Sequence, residues 1–135
     1  MAAICCTLGL VCKAQCNKNV TWHSVKSEFI DTASGSSDQT KNETVELKVG
    51  PENVSIVLKG DHSDSMVGKV TDYVCNWTEK QNGKLTFKSV LTDAEGKIRH
   101  ALITIEETDG NIVAMLKADE EPTIIKLTID SFKED

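Results

Sequence analysis

The sequence is poor in aromatic residues and in positive charge. Among 135 residues there are two tryptophans, one tyrosine and three phenylalanines. Surfaces that bind sugars or single-stranded nucleic acid usually need several aromatic stacking platforms, so this scarcity argues against both functions. Acidic residues outnumber basic ones by 21 to 15, a net charge of −6. That charge argues against nucleic acid and against anionic membrane surfaces as partners.

Signatures of catalysis and of metal binding are also missing from the sequence. It contains no Gly-x-Ser-x-Gly, no glycine-rich phosphate loop, no His-Glu-x-x-His and no Cys-x-x-Cys. The three histidines, His23, His62 and His100, lie far apart, and none has a second ligand at strand or helix spacing. We therefore expect a protein that is not an enzyme and that holds neither a metal nor a cofactor.

The first 14 residues differ from the rest of the chain, because they are almost wholly apolar and carry one charged side chain, Lys13. The run is too short to span a bilayer. It fits a secretory signal with Ala14 at the −1 position, although a buried first strand or helix is the alternative. The basic segment that normally begins a signal is missing, so either the signal is unusually short or its true start lies upstream of Met1. We expect a secreted or periplasmic product, residues 15–135, with no membrane-inserted segment.

Cleavage after Ala14 would leave two of the five cysteines, Cys16 and Cys75. Two cysteines allow one pairing, and an oxidising compartment favours the bond. We predict a disulfide that ties the new N-terminus to a middle strand and closes a loop of about 60 residues. The rival interpretation is a pair of free buried thiols.

Residues 15–135 predict a single all-β domain. Apolar and polar residues alternate in short runs that are separated by turn residues, a period typical of antiparallel sheets. Eight such runs with short links predict an antiparallel up-and-down meander that closes into an eight-stranded barrel. A β-sandwich is the alternative. The predicted strands are 19–30, 44–49, 53–59, 66–78, 84–92, 97–107, 112–117 and 123–132.

The links between the runs carry several turn signals. Asn82-Gly83 and Asp109-Gly110 are typical of tight hairpins. The segments 31–42 and 60–65 are rich in Ser, Gly, Thr and Asp and are predicted to be polar loops. The predicted strand 66–78 has apolar residues on both faces, which indicates a β-bulge.

The densest polar cluster, Asp61, His62 and Asp64, lies in the second of these loops. It lacks the oxygen set of a calcium site, so we interpret it as a solvated turn and as a candidate binding loop. Carboxylates also cluster beside turns at 106–107 and 119–121. Adjacent strand residues point to opposite faces, so these groups are predicted to be solvated rims rather than one site.

Some features of the sequence occur together in one known group of proteins. An export signal ends at Ala14-Gln15, an early tryptophan lies in Val-Thr-Trp-His-Ser-Val (20–25), and residues 68–77 read Gly-Lys-Val-Thr-Asp-Tyr-Val-Cys-Asn-Trp. In these features the chain resembles the small secreted lipocalin-like proteins of Bacteroidota-type bacteria. Lipocalins carry Gly-x-Trp on the first strand, whereas Val20 precedes Trp22 here. The resemblance implies that Trp22 packs at the closed end of the barrel.

The remaining aromatic residues are predicted to be structural. Tyr73, Cys75 and Trp77 share one face of a strand, so a disulfide at Cys75 places both rings in the core. A stacking surface is the alternative.

Two functions stay open at this stage. The first is a lipocalin-like protein that binds a small hydrophobic molecule in the mouth of the barrel. The second is a barrel that grips a protein partner, for example as a hydrolase inhibitor, through the loop 31–42 or 60–65. An unfilled apolar interior favours the first function, and a packed interior with a rigid protruding loop favours the second.

Overall fold

The structure is a computed structural model that describes residues 16–40, 43–60, 63–79 and 82–134. The predicted signal segment 1–14 and the loop residues Asp61 and His62 lie outside these ranges. Every regular element within them is a β-strand, and they contain no helix of the length and hydrophobicity that would cross a bilayer. The strands are β1 Val20–Asp31, β2 Ser37–Thr40, β3 Thr44–Val49, β4 Asn53–Lys59, β5 Asp64–Glu79, β6 Asn82–Asp93, β7 Ile98–Thr108, β8 Asn111–Ala118 and β9 Thr123–Glu134.

The strands form one antiparallel sheet that closes on itself. Consecutive strands from β3 to β9 pair with one another, and β9 pairs with β1 along its whole length. On its other side β1 pairs with β3 through Val20–Ser24 and with β2 through Ser27–Ile30. Since β2 and β3 together serve as one strand, the result is the predicted eight-stranded up-and-down barrel. The closure of β9 on β1 excludes the β-sandwich.

One predicted loop is wrong in part. The segment 31–42 contains strand β2, because a tight turn brings Ser37 opposite Ile30. Gly35 makes this turn possible with a φ of 74°, and its N–H donates to the carbonyl of Asp31. The segment is therefore largely a hairpin rather than a long free loop.

Strand β5 contains the predicted bulge. Its register with β6 shifts between Thr71 and Val74, and Asp72 has a φ of 52°. Met66 faces the core before the bulge, and Trp77 faces it afterwards. The extra residue reverses the alternation of faces, which is why the apolar residues of this strand looked two-sided in the sequence.

The lower end of the barrel, where β1 begins and β9 ends, is filled by aromatic rings. Trp22 is 0% exposed and stacks on Trp77 with 5.6 Å between ring centroids. Phe132 contacts Trp22 from the rim at 5.1 Å. The predicted disulfide between Cys16 and Cys75 is present, and it holds the N-terminal segment against this end.

The two turn signals had different outcomes. The Asp109-Gly110 turn is where the sequence places it, with positive φ at both residues. The prediction of a turn at Asn82-Gly83 is wrong, because Asn82 pairs with Glu79 and both residues of the signal belong to β6. Gly83 is needed for another reason: a Cβ there would come within 2.3 Å of the Trp77 ring.

Candidate functional site

The upper end of the barrel, opposite the tryptophans, opens into an apolar cavity of about 160 Å³. A void of about 20 Å³ continues below it. An engineered apolar cavity of about 150 Å³ holds a benzene molecule, whereas pockets for drug-sized ligands measure about 300–1,000 Å³. The mouth therefore fits a ring-sized or short-chain group and not a long lipid tail. Its apolar lining comprises Leu58, Met66, Leu91, Ala101, Leu116, Ala118 and Ile125.

Strand alternation and a group of small residues create this cavity. Leu58, Met66, Leu91 and Ala101 lie near the upper ends of β4 to β7, on the inward face of each strand. Ala101 offers one methyl group, and its cross-strand partners Ser89 and Ala118 are also small, so the ring of side chains does not meet at the centre. The cavity follows from side-chain volume and not from a distortion of the backbone.

Arg99 forms the polar rim of this mouth. Its guanidinium donates hydrogen bonds to Asp93 Oδ2 at 3.1 Å and to Glu121 Oε1 at 3.3 Å. It also contacts the sulfur of Met66 at 3.7 Å. The Arg99 side chain is 18% exposed and that of Asp93 is 8% exposed. The two carboxylates neutralise the guanidinium and hold it against the wall of the cavity.

Asp93 is fixed by the turn between β6 and β7. Its Oδ1 accepts hydrogen bonds from the backbone N–H groups of Lys97 and Glu95, each at 2.9 Å. The hydrogen bond from Lys97 is the largest cause of a lowered pKa at Asp93, and the bonds from Glu95 and Arg99 lower it further against the opposing effect of burial. Asp93 therefore stays ionised and keeps Arg99 in place.

The mouth carries a slight excess of negative charge. Asp64 and Glu121 line the cavity together with Arg99 and Lys117, and Asp93 contacts Arg99 from behind. Three carboxylates thus face two cations, and Arg99 already has two carboxylate partners. A carboxylate of a ligand entering the mouth would find the Arg99 guanidinium already paired with Asp93 and Glu121.

The structure describes only one of the three residues of the predicted binding loop. Asp64 lies at the rim of the mouth, whereas Asp61 and His62 lie outside the described residues. Within the described ranges, no three potential ligands among His, Cys, Asp and Glu come together. His23 and His100 each pair with one carboxylate, Asp130 and Glu120 respectively.

The prediction that the clustered carboxylates are solvated rims is wrong for Glu107 and Glu121, which are only partly exposed. Glu106, Asp119 and Glu120 are exposed, as predicted. Three of the five carboxylates have a hydrogen-bond partner. Glu107 accepts a hydrogen bond from Trp77 Nε1 at 3.1 Å, Glu120 binds His100 and Glu121 binds Arg99. Each partner lies 20 or more residues away in sequence, so no local pattern shows these pairs. A weak signal for Arg99 existed, since it and Asp93 flank a predicted turn between two strands.

The pair of His100 and Glu120 lies on the outer wall beside the mouth. The side-chain hydrogen bond with Glu120 raises the pKa of His100 above 6.5. The same bond, and then the N–H of His100, lower the pKa of Glu120 below 4.5. The histidine's contribution to stability is complete below pH 6.5 and disappears above its raised pKa. The stabilisation that ionised Glu120 contributes is fully present above pH 4.5 and is lost as the pH falls through its lowered pKa. Both contributions are therefore fully present between pH 4.5 and pH 6.5.

We predict that Glu120→Gln lowers the pKa of His100, because the neutral amide no longer favours the imidazolium. The measurement is an NMR titration of the His100 ring protons. Glu95→Gln is the matched control, since Glu95 is exposed and lies in a different turn. An identical His100 pKa in the native protein and in both variants would contradict the pairing.

Comparison with known proteins gives no relative. No protein family, no curated protein and no solved structure matches the chain. The function has to be inferred from the geometry of the site.

Proposed function

We propose that this chain is a secreted or periplasmic barrel that binds a small hydrophobic molecule at its upper end. The observation that carries the proposal is the apolar cavity of about 160 Å³, which opens between charged rim groups. Apolar walls with a few fixed polar groups at the entrance are typical of sites for small molecules. Export is supported by the disulfide between Cys16 and Cys75, since such bonds persist in oxidising compartments.

The charge of the rim narrows the class of ligand. Arg99 is engaged by Asp93 and Glu121, and Asp64 adds another negative charge at the entrance. The ligand is therefore a ring-sized apolar group that is neutral or carries an amine. Lys117 also lines the cavity, but three carboxylates against two cations leave the rim with a net negative charge, which disfavours a carboxylate of the same size.

The alternative, a barrel that grips a hydrolase through a rigid protruding loop, has less support. The turn after β1 is folded back on the barrel, because the N–H and hydroxyl of Thr32 donate to the carbonyl of Pro122 at 2.9 and 2.7 Å. The mouth is an open concave site, whereas this turn is hydrogen-bonded to the segment that precedes β9.

The test uses benzyl alcohol, benzylamine and benzoate as probes in NMR titrations of the isotope-labelled protein. We expect the first two to shift the amide resonances of Ala101 and Leu116, and benzoate to bind at least tenfold more weakly. Ala101→Phe is expected to abolish these shifts by filling the cavity. Leu102→Phe is the matched control, because the side chain of Leu102 is 40% exposed on the outer wall and should leave binding unchanged.

Two outcomes would overturn the proposal. In one, none of the three probes shifts the resonances of the mouth. In the other, Ala101→Phe binds the probes as well as Leu102→Phe does, which would place binding elsewhere on the protein.

A further inference from the structure

A second concavity lies on the outer wall of the barrel, across β3, β4, β5 and β6. It measures about 620 Å³. Ser55 forms the middle of its floor, and the longer side chains of Lys48, Lys69, Val67 and Val90 flank it. We call this surface the lysine groove. It is distinct from the mouth, because these four side chains are exposed on the outer face of the sheet.

Strand register accounts for the shape of the lysine groove. Lys48 pairs with Ser55, and Ser55 pairs with Val67, so the three residues form one row across three strands. In the next row Lys69 pairs with Val90. Strands lie about 4.8 Å apart and residues rise about 3.4 Å along a strand, so the Cα atoms of Lys48 and Lys69 are about 12 Å apart.

The charge of the lysine groove is opposite to that of the chain. The chain has a net charge of −6, yet among the described residues the charged ones that line the groove are Lys48 and Lys69, and no carboxylate does. Within the described part of the chain neither lysine forms an ion pair, in contrast to Lys88, which pairs with Asp72. Glu46 lies on β3, two residues from Lys48, and Glu52 precedes β4, but neither residue lines the groove.

Exposed apolar side chains lie beside the two lysines. Val67 is 57% exposed and Val90 is 50% exposed. They are diagonal neighbours on adjacent strands, because Val67 pairs with Thr92 and Val90 with Lys69. A surface that combines unpaired positive charge with exposed valines matches a partner that supplies both carboxylates and apolar groups. A pure polyanion would leave the valines uncovered.

We propose that the lysine groove docks an extended acidic segment of a partner protein. Two carboxylates of the segment pair with Lys48 and Lys69, and an apolar side chain between them covers Val67 and Val90. An extended chain advances about 13 Å over four residues, which matches the separation of the two lysines. The interaction does not require the mouth, so it is independent of the proposed ligand.

The probe for this site is the peptide acetyl-Glu-Thr-Val-Thr-Glu-amide, whose first, third and fifth side chains share one face when it is extended, titrated into the full chain at low salt and followed by NMR. We expect shifts at Lys48, Ser55, Lys69 and Val90. The double variant Lys48→Glu/Lys69→Glu should weaken binding at least tenfold. The matched control is Lys59→Glu/Lys97→Glu, which makes the same change of charge at two exposed lysines outside the groove and should change the affinity less than twofold.

The control peptide acetyl-Gln-Thr-Val-Thr-Gln-amide has the same shape without the charges, and it should bind at least tenfold more weakly. Four outcomes would overturn the proposal. These are no binding of the acidic peptide, equal binding of both peptides, equal loss of binding in the two double variants, and stronger binding of a short sulfated oligosaccharide than of the peptide at the same resonances.

Discussion

Replacing Cys16 and Cys75 together by serine is expected to lower the free energy of unfolding by about 4 kcal/mol. The two cysteines are 59 residues apart in sequence, and the disulfide removes the entropy that this long loop would gain in the unfolded chain. In the folded protein it also holds the N-terminal segment in place, where the N–H of Asn17 donates to the hydroxyl of Tyr73 at 3.0 Å. A loss of this size is large beside the 5–15 kcal/mol that stabilises a typical domain.

The measurement is urea unfolding followed by the fluorescence of the two buried tryptophans. Reduction of the unsubstituted protein supplies a second comparison, since it breaks the same bond without changing any residue. Ser63→Ala, at an exposed loop position, controls for the effect of a surface substitution as such. It should change the free energy of unfolding by less than about 0.5 kcal/mol. A loss of less than about 1 kcal/mol in the double variant would show that the loop is already constrained in the unfolded chain.

The architecture was predictable because the signals that specify it are local. Alternation of apolar and polar residues gives each strand its inward face, and short links force neighbours to pair. The bulge in β5 was also visible in the sequence, because the apolar residues change face between Val70 and Tyr73. The disulfide was predictable by counting, because one pairing remains for Cys16 and Cys75 after removal of the predicted signal.

The site was less predictable because its groups are brought together by the closed barrel. Arg99 meets Glu121 across 22 residues of sequence, and the local pattern around Glu121 is that of a solvated turn. The cavity depends on the small size of the Ala101 side chain, which does not reach the centre of the barrel. A binary pattern of apolar and polar residues does not describe side-chain size. Strand β2 was missed for a related reason: Ser37–Thr40 is polar throughout and is a strand because β1 lies beside it.

The two ends of the barrel differ in packing, and under the proposed function they would divide stability and binding between them. The lower end combines the disulfide, the stacked tryptophans and Phe132, whereas the upper end leaves space beside Ala101. A cavity reduces packing and therefore stability, so an open mouth needs a well-packed region elsewhere in the domain. Changes at the lower end should accordingly alter stability strongly, and changes at the mouth should alter binding first.

Trp22→Ala is expected to lower the free energy of unfolding by about 3–5 kcal/mol, because it removes a fully buried indole from the packed end of the barrel. Trp22 is 0% exposed and contacts both Trp77 and Phe132. The measurement is urea unfolding, with circular dichroism as the signal because one fluorophore is lost. Phe132→Ala, at a residue that is 42% exposed, is the comparison and should cost clearly less. Equal losses in the two variants would contradict the assignment of Trp22 as the centre of this cluster.

Phenylalanine at each tryptophan position separates packing from hydrogen bonding. Trp77 Nε1 donates to Glu107, whereas Trp22 Nε1 is buried without a hydrogen-bond partner in the described structure. Trp77→Phe loses a hydrogen bond to a charged group, an interaction worth about 1.5–3 kcal/mol and less here because Glu107 is partly exposed. Trp22→Phe loses only contact area and removes an unsatisfied donor. We therefore expect Trp77→Phe to be more destabilising by about 1 kcal/mol. The opposite order in urea unfolding would mean that Trp22 Nε1 has a partner, such as a buried water, inside the barrel.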